Sequence, residues 1–300
     1  MIANVSSTNN FVGLPLSAVR RILSTQLAGA GIEDPDYESR LMVQMALGID
    51  AVNYIVQENR RFSSDESNSL RTLLKRRLAR EPLSRIEGVK KFYGRNYLLS
   101  PSVLDPRPET ETLIDLILEL ANTSEEKEWP RSILDVGTGS GCILLSLLAE
   151  LPCAHGVGTD ISQAALETAR MNALYLKVEQ RVSFKQCCSL EGISSPFDVL
   201  VSNPPYIPSR QLSALEPEVR NFDPHLALDG GEDGFFVYRQ IVEKLTVVVP
   251  SGWAVFEVGF DQAFELVNII QNGLKERIKR LIIRKDLSGI TRCVAVQTHN

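Results

Sequence analysis

Strand-like and helix-like patterns alternate along the chain from residue 132 to residue 272, and this alternation constrains the fold more than any other feature. Short apolar runs are separated by segments whose apolar residues recur at helical spacing. We predict strands at 132–136, 157–160, 182–186, 197–202 and 253–258, helices at 142–151, 163–176, 235–248 and 262–272, and two closing strands at 278–284 and 291–297. Alternating strands and helices favour a doubly wound, mostly parallel sheet in an α/β fold, and the two closing strands add an antiparallel edge hairpin.

The first part of the chain has a different pattern, with only helical periodicity between residues 15 and 85. Aromatic residues, glycines and prolines then dominate residues 86–108, a composition typical of short strands and turns. We therefore predict a helical recognition domain at 1–85, a hairpin linker at 86–110 and an α/β domain at 111–300. A further helix is expected at 115–120.

The composition, with 44% hydrophobic and 23% charged residues, is that of a globular protein. The longest apolar runs, such as 143–148, are too short to span a bilayer, and residues 1–13 carry no signal or transit features. The five cysteines show no metal-binding spacing, so we expect reduced thiols, no metal site and a cytoplasmic location.

The charge distribution leaves two interpretations open for one segment. A net charge of −5 argues against a general nucleic-acid-binding surface. Between residues 60 and 95, however, eleven Lys and Arg residues stand against four Asp and Glu residues. The segment is either the solvated face of a helix or a docking face for a partner that is anionic or bound to RNA.

A glycine-rich loop at residues 137–141 lies between a predicted strand and a predicted helix, where glycines allow close approach of a ligand. The loop consists of Gly137, Thr138, Gly139, Ser140 and Gly141. Asp160 ends the next strand, where a carboxylate can accept hydrogen bonds from ribose hydroxyls. Nicotinamide enzymes use a similar turn, but Asp135 ahead of the loop suits a cation better than a pyrophosphate. A cationic ligand with an adenosine moiety is S-adenosylmethionine, which we take as the expected cofactor.

The run Asn203-Pro204-Pro205-Tyr206 follows the predicted strand 197–202, at the strand end where open sheets bind ligands. An amide nitrogen is a poor nucleophile because its lone pair is delocalised. The Asn203 side-chain oxygen and the Pro204 carbonyl can each accept one N–H bond and so aim that lone pair. The Tyr206 ring can lie against the target plane and the cationic methyl donor. We therefore predict methyl transfer to a planar nitrogen.

These motifs, and several flanking segments, resemble the HemK/PrmC family of peptide chain release factor glutamine N(5)-methyltransferases. The flanking segments that carry the resemblance are 82–88, 92–94, 106–111, 207–208, 218–220, 227–228, 230–234, 238–239 and 256–259. The resemblance implies a class I, Rossmann-like methyltransferase fold with a seven-stranded sheet. It implies that the substrate is the glutamine of the Gly-Gly-Gln motif in class 1 release factors, and that the helical domain helps to grip that partner.

The resemblance also assigns roles to site residues. It places the cofactor against Gly137, Thr138, Gly139, Ser140, Gly141, Asp160, Ser189 and Asn203, and the glutamine against Asn203, Pro204, Pro205 and Tyr206. Asn203, Pro204 and Tyr206 would carry the catalysis. Related enzymes often have an acidic residue near the adenine where this chain has Cys187-Cys188-Ser189, so backbone groups could replace that contact.

Three other functions share parts of these patterns: a DNA adenine or ribosomal RNA base methyltransferase, a non-catalytic adenosine-binding or ribosome-associated module, and a nicotinamide dehydrogenase. The net charge of −5 and the absence of an identifiable target-recognition domain argue against the first. We expect a monomer whose substrate is a protein and which has no direct nucleic-acid substrate and no membrane partner.

Overall fold

The computed structural model describes residues 10–299, so the first nine residues of the segment 1–13 lie outside the described residues. Contacts divide the chain into two compact units, Met1–Gly88 and Val89–Asn300. Within the described range, no helix is both long and apolar enough to cross a membrane.

The first unit is helical, as predicted. Its helices are α1 (Leu16–Gly29), α2 (Pro35–Leu47), α3 (Ala51–Val56), α4 (Ser64–Leu78) and α5 (Leu83–Glu87). Leu16, Val19, Leu23 and Leu27 form one buried face of α1, because residues three and four positions apart share a side of a helix. They pack with buried residues of α2 and α4 in a separate core.

Several arginines of the basic segment 60–95 are ion-paired in this unit. Arg60 pairs with Glu66, and Arg76 pairs with Glu81. Arg77 is buried and its Nε lies 2.6 Å from Oε2 of Glu38. Local carboxylates therefore neutralise part of the positive charge that the residue count suggests, and a docking role for this segment stays a prediction.

A short hairpin opens the second unit. Strands β1 (Val89–Phe92) and β2 (Arg95–Leu98) pair in antiparallel register. Phe92 and Tyr97 are fully buried in the same apolar cluster as the helices that cover one face of the large sheet. The hairpin is thus part of the packed core of the second unit.

The second unit is built on a seven-stranded sheet in the order β5-β4-β3-β6-β7-β9-β8. The strands are β3 (Ser132–Val136), β4 (His155–Asp160), β5 (Val182–Gln186), β6 (Val199–Ser202), β7 (Trp253–Glu257), β8 (Ile278–Lys285) and β9 (Thr291–Thr298). The first five are parallel, and β9 runs antiparallel to both β7 and β8. The predicted doubly wound sheet with an antiparallel edge hairpin is confirmed.

Helices cover both faces of the sheet. They are α6 (Glu111–Thr123), α7 (Cys142–Glu150), α8 (Gln163–Tyr175), α9 (Pro217–Phe222), α10 (Phe236–Val248) and α11 (Ala263–Leu274). Alternate strand residues divide between the two cores: Ile133 packs in the cluster with α6 and α7, and Leu134 packs in the cluster with α10 and α11. This division follows from the two-residue period of a strand and explains why the strands are apolar throughout.

The element ends differ from the predicted ends by a few residues. The strand predicted at 197–202 begins at Val199, and the Asp198 carboxylate just ahead of it accepts hydrogen bonds from the backbone N–H groups of Arg131 and Ser132. The helix predicted at 115–120 extends over Glu111–Thr123, and α9 was not predicted. Such ends depend on side-chain contacts that periodicity does not encode.

Candidate active site

Four neighbouring parallel strands place polar groups at one edge of the sheet. Asp160 ends β4, the glycine loop follows β3, Asn203 follows β6 and Glu257 ends β7. Strand β4 pairs with one side of β3, and β6, which comes later in the chain, pairs with the other side of β3. This reversal opens a crevice at the carboxyl ends of the strands, the usual ligand site of such sheets.

The glycine loop is held by backbone and carboxylate hydrogen bonds. The Thr159 carbonyl accepts hydrogen bonds from the N–H groups of Gly137 and Thr138, at 2.9 and 2.8 Å. The Gly139 N–H donates to Oδ2 of Asp160 at 2.9 Å. Gly137 and Gly139 have φ values of 74° and 55°, which residues with a Cβ rarely adopt. The turn therefore depends on glycine at both positions.

A cavity of about 500 Å³ lies against this loop. Of the residues predicted to bind cofactor or substrate, its lining includes Gly137, Thr138, Gly139, Ser140, Asp160, Ser189, Asn203, Pro204 and Pro205. Gly141 lies outside the lining, at the start of α7, where a Cβ would come within 2.9 Å of Leu145 Cδ1. Tyr206 lies outside it as well and lines a neighbouring cavity. The structure thus brings together residues from separate strand ends, and their roles stay predictions.

Two side chains of the cavity suit a polar, adenosine-like ligand. Oγ of Ser189 is buried and has no hydrogen-bond partner among residues 10–299, so a ligand in the cavity can satisfy it. The Asp160 carboxylate faces the same space. Cys188 lines the cavity too, and it and Cys187 are free thiols. In the described part of the chain, no group of three or more His, Cys, Asp and Glu side chains is arranged to hold a metal ion.

Asp135 lies beneath the glycine loop, whereas its charge suggested a direct contact to a cationic ligand. It is fully buried and accepts a hydrogen bond from the Thr138 hydroxyl at 2.6 Å. The cavity lining does not include it. Burial raises the pKa of Asp135 to about 7. Its position indicates a support for the loop rather than a direct contact to a cationic ligand.

The raised pKa of Asp135 makes the free energy of unfolding depend on pH. Because the folded state holds the proton more tightly than the unfolded state, this contribution is full below pH 3.8 and is lost as the pH rises through about 7. The Asp135→Asn variant keeps a side-chain oxygen that can accept the Thr138 hydrogen bond, but its amide does not titrate. Between pH 4 and pH 8 we expect the variant to gain up to about 4 kcal/mol relative to the natural chain. Urea unfolding at both pH values measures the difference, and a difference that does not change with pH would contradict the expectation.

The Asn203 amide is oriented by a threonine. Its Nδ2 donates to Oγ1 of Thr110 at 3.3 Å. Among residues 10–299, nothing donates to Asn203 Oδ1 or to the Pro204 backbone carbonyl. Both acceptors that the predicted chemistry requires are therefore available at the cavity.

A second cavity of about 340 Å³ shares Asn203 with the first as a lining residue. Tyr206 and the buried Glu257 line it together with Asn203. Burial raises the pKa of Tyr206 well above its ordinary value, so the phenol stays protonated. Burial also raises the pKa of Glu257, to about 7. Asn203 thus lines both the cavity beside the glycine loop and the cavity beside Tyr206.

Residues 230–234 pack directly against the Asn-Pro-Pro-Tyr run. A Cβ on Gly230 would lie 2.8 Å from the Pro205 carbonyl oxygen, and a Cβ on Gly234 would lie 2.4 Å from the Tyr206 carbonyl oxygen. That Tyr206 carbonyl also accepts a hydrogen bond from Nε2 of Gln262 at 2.8 Å. The glycines therefore let this segment fix the motif at close range.

Sequence reasoning missed Thr110, Gln262 and Glu257 as individual site residues. Glu257 carried a usable signal, since a carboxylate closes the apolar strand 253–257 in the same way that Asp160 closes β4. Thr110 lies in the segment 106–111 that carries the family resemblance, but neither it nor Gln262 showed its contact in the sequence, because the partners are 93 and 56 residues away.

Comparison with protein-family models gives two matches along the chain. The PrmC N-terminal domain matches residues 18–88. The methyltransferase small domain matches residues 115–228, which include the glycine loop and the Asn-Pro-Pro-Tyr run.

Curated relatives match over almost the whole chain. A release factor glutamine methyltransferase of Bradyrhizobium diazoefficiens is 40% identical over 292 residues, covering 96% of this chain and 96% of that protein. Another of that name from Rhodospirillum rubrum is 40% identical over 270 residues, covering 90% of this chain and 81% of that protein.

Solved structures agree on the fold. The N-terminal domain of human METTL16, determined in complex with SAH, superposes with a TM-score of 0.50 at 16% identity, covering 73% of this chain and 79% of that one. This likeness shows the methyltransferase fold alone. The two relatives settle the family: the chain belongs to the S-adenosylmethionine-dependent release factor glutamine methyltransferases.

Proposed function

We propose that this chain methylates the side-chain amide nitrogen of the glutamine in the Gly-Gly-Gln motif of class 1 peptide chain release factors, with S-adenosylmethionine as methyl donor. The names of its relatives support a release factor as the protein substrate. We place the reaction in the cytoplasm, where release factors act, and we expect a monomeric enzyme whose helical unit helps to grip the partner.

The position of Asn203 supports this activity most directly. Its Nδ2 donates a hydrogen bond to Oγ1 of Thr110, while its Oδ1 accepts no hydrogen bond from the described residues. A primary amide has two N–H groups, and Asn203 Oδ1 and the Pro204 carbonyl are two acceptors at one strand end. Such a pair can hold the nitrogen and direct its lone pair without a strong base.

We propose that Gly137, Thr138, Gly139, Ser140, Gly141, Asp160, Ser189 and Asn203 hold the cofactor. When bound, S-adenosylmethionine supplies an electrophilic methyl group on a positively charged sulfur. Asp160 can accept hydrogen bonds from ribose hydroxyls, and the unpartnered Ser189 Oγ can bond a polar edge of the ligand. Gly141 contributes by allowing the close packing of α7 under the loop.

The chain's own groups then act on the substrate. Asn203 Oδ1 and the Pro204 carbonyl accept the amide N–H bonds, and Pro205 keeps the backbone rigid. The Tyr206 ring lies beside the second cavity, where it can cover the flat glutamine amide. Its protonated phenol adds no negative charge there. The proton leaves the nitrogen to water or to one of the two carbonyl acceptors.

Mass spectrometry of a class 1 release factor after incubation with the enzyme and S-adenosylmethionine tests this function. We expect a gain of one methyl group on the Gly-Gly-Gln glutamine, and none on a release factor whose motif glutamine is replaced by glutamate. DNA and ribosomal RNA are incubated in parallel. Labelled nucleic acid with an unmodified release factor would overturn the proposal in favour of a base methyltransferase. Calorimetric binding of NAD instead of S-adenosylhomocysteine would indicate a dehydrogenase, and ligand binding without turnover a non-catalytic module.

Asp160→Ala is expected to weaken the binding of S-adenosylhomocysteine. The carboxylate accepts hydrogen bonds from the N–H groups of Gly139 and Ser162, each at 2.9 Å, so the variant loses a ligand contact and a support of the loop. Hydrogen bonds to a charged group contribute about 1.5–3 kcal/mol, which corresponds to about 10- to 150-fold in Kd. Isothermal titration calorimetry measures the change. Asp261→Ala, an exposed carboxylate of the same unit, is the control, and equal affinities of the two variants would exclude this role.

A further inference from the structure

Two large apolar side chains of the second unit are exposed and also line the cavity beside the glycine loop. Leu226 and Phe236 are 66% and 57% exposed. Both belong to the lining that includes Asn203 and Pro204. A side chain that is exposed and lines a cavity lies at its mouth. A single exposed apolar side chain is ordinary, but two at the mouth of one cavity indicate a surface that a partner covers.

The backbone that carries Leu226 and Phe236 is tied to the Asn-Pro-Pro-Tyr run. Ile207, which directly follows that run, donates its N–H to the Leu228 carbonyl at 3.1 Å. The Ile207 carbonyl accepts a hydrogen bond from the Gly230 N–H at 2.9 Å. The Phe236 N–H in turn donates to the Gly230 carbonyl at 3.0 Å. Because this segment is already ordered, little conformational entropy is lost when its side chains contact a partner.

Phe236 is the first residue of α10 and lies outside the buried face of that helix. The residues that form the buried face are Tyr238, Ile241, Val242, Leu245 and Val248. A Cβ on Gly231 would lie 3.0 Å from the Phe236 Cβ, so glycine at position 231 leaves room for this aromatic residue. The ring thus contributes little to the core and is available at the mouth of the cavity.

We propose that Leu226 and Phe236 bind the main chain of the two glycines that precede the target glutamine in the release factor. The inference rests on the proposed function, because it extends the site of that glutamine. An extended glutamine side chain places its Cα only about 5 Å from its amide nitrogen. When Asn203 and Pro204 hold the amide, the preceding residues of the substrate therefore lie at the mouth of the same cavity.

Glycine suits this contact because it has no side chain. A peptide group is planar, and without a Cβ it can lie flat against the Phe236 ring at van der Waals distance. An added Cβ on the glycine next to the glutamine would hold the main chain away from the ring and draw the glutamine away from Asn203. The surface therefore favours a glutamine that follows glycines over a glutamine that follows residues with side chains.

Steady-state kinetics with an intact release factor test the docking surface. We expect Phe236→Ala to raise the KM for the release factor by about tenfold, since the exposed part of the ring is no longer available for burial against the substrate. The kcat and the Kd of S-adenosylhomocysteine should each change by less than about threefold, because the lost contact is the same in the ground state and the transition state. Tyr175→Ala is the matched control. Tyr175 is also 57% exposed, but it ends α8, away from the carboxyl ends of the strands.

A release factor whose second motif glycine is replaced by alanine provides a second, independent measurement. We expect its kcat/KM to be about 50-fold lower than that of the natural substrate with the natural enzyme, and only about 5-fold lower with Phe236→Ala. The smaller side chain at position 236 leaves room for the added Cβ, so the two substitutions are not additive.

Equal losses with the two enzymes, or an unchanged KM in Phe236→Ala, would overturn the inference. An equally large loss of S-adenosylhomocysteine binding would overturn it too, since Phe236 would then belong to the cofactor site. If the natural chain leaves the release factor unmethylated, the proposed function and this inference fail together. Methylation by the natural chain with an unaffected Phe236→Ala refutes the inference alone, so the two failures are distinct.

Discussion

Replacing Asn203 by alanine is expected to lower the rate of methyl transfer by about 100- to 1000-fold, the effect of removing one preorganised hydrogen-bonding group from a reaction site. The substitution removes the amide oxygen of Asn203 and leaves the Pro204 carbonyl as the single acceptor assigned to the substrate N–H groups. A substrate amide held at one point can rotate, so its lone pair is no longer aimed at the methyl donor. Single-turnover kinetics on a release factor measure the loss.

Binding of S-adenosylhomocysteine to Asn203→Ala should change by less than about tenfold, because the glycine loop, Asp160 and Ser189 remain in place. Calorimetry separates this result from a general collapse of the site. Asn268→Ala is the matched control, since the hydrogen bond of the Asn268 amide within residues 10–299 is to Glu265 of the same helix, away from the motif. Full activity of Asn203→Ala would contradict the assigned role, and loss of cofactor binding would reassign Asn203 to the cofactor alone.

Gly234→Ala should affect both stability and activity without touching a reacting group. The added Cβ would lie 2.4 Å from the Tyr206 carbonyl oxygen and 2.7 Å from Nε2 of Gln262, and the φ of Gly234 is +86°. A left-handed conformation costs about 1–2 kcal/mol for a residue with a Cβ, and overpacking adds about 1–3 kcal/mol. We expect the free energy of unfolding to fall by about 2–5 kcal/mol in total. Because Tyr206 must move to relieve the close contact with the added Cβ, we expect kcat to fall by about 100-fold.

Gly289→Ala separates the two causes of this effect. Gly289 has a φ of +79°, but nothing lies within 4 Å of an added Cβ. The variant should lose only the conformational part, about 1–2 kcal/mol in urea unfolding, and keep its rate of methyl transfer. Equal rates in Gly234→Ala and Gly289→Ala would show that residues 230–234 do not hold the motif in place.

The fold was largely predictable because its determinants are local. The spacing of apolar residues identifies strands and helices within windows of a few residues, and their alternation leaves few topologies open. The doubly wound sheet and the antiparallel edge hairpin were obtained in this way. Element ends were less accurate, as with Val199 and α9, because they depend on local contacts that the spacing of apolar residues does not encode.

The sequence by itself determined which candidate segments meet at one edge of the sheet, because the glycine loop, Asp160 and Asn203–Tyr206 each follow or end a predicted parallel strand. Only the tertiary structure decided how they are held. Thr110 reaches Asn203 across 93 residues, and Gln262 reaches Tyr206 across 56. Asp135 lies under the loop instead of facing the cavity, and Tyr206 faces the second cavity rather than the first. Such relations are set by packing between segments that are distant in sequence. This packing depends on three-dimensional contacts and produces no periodic pattern in the amino-acid sequence.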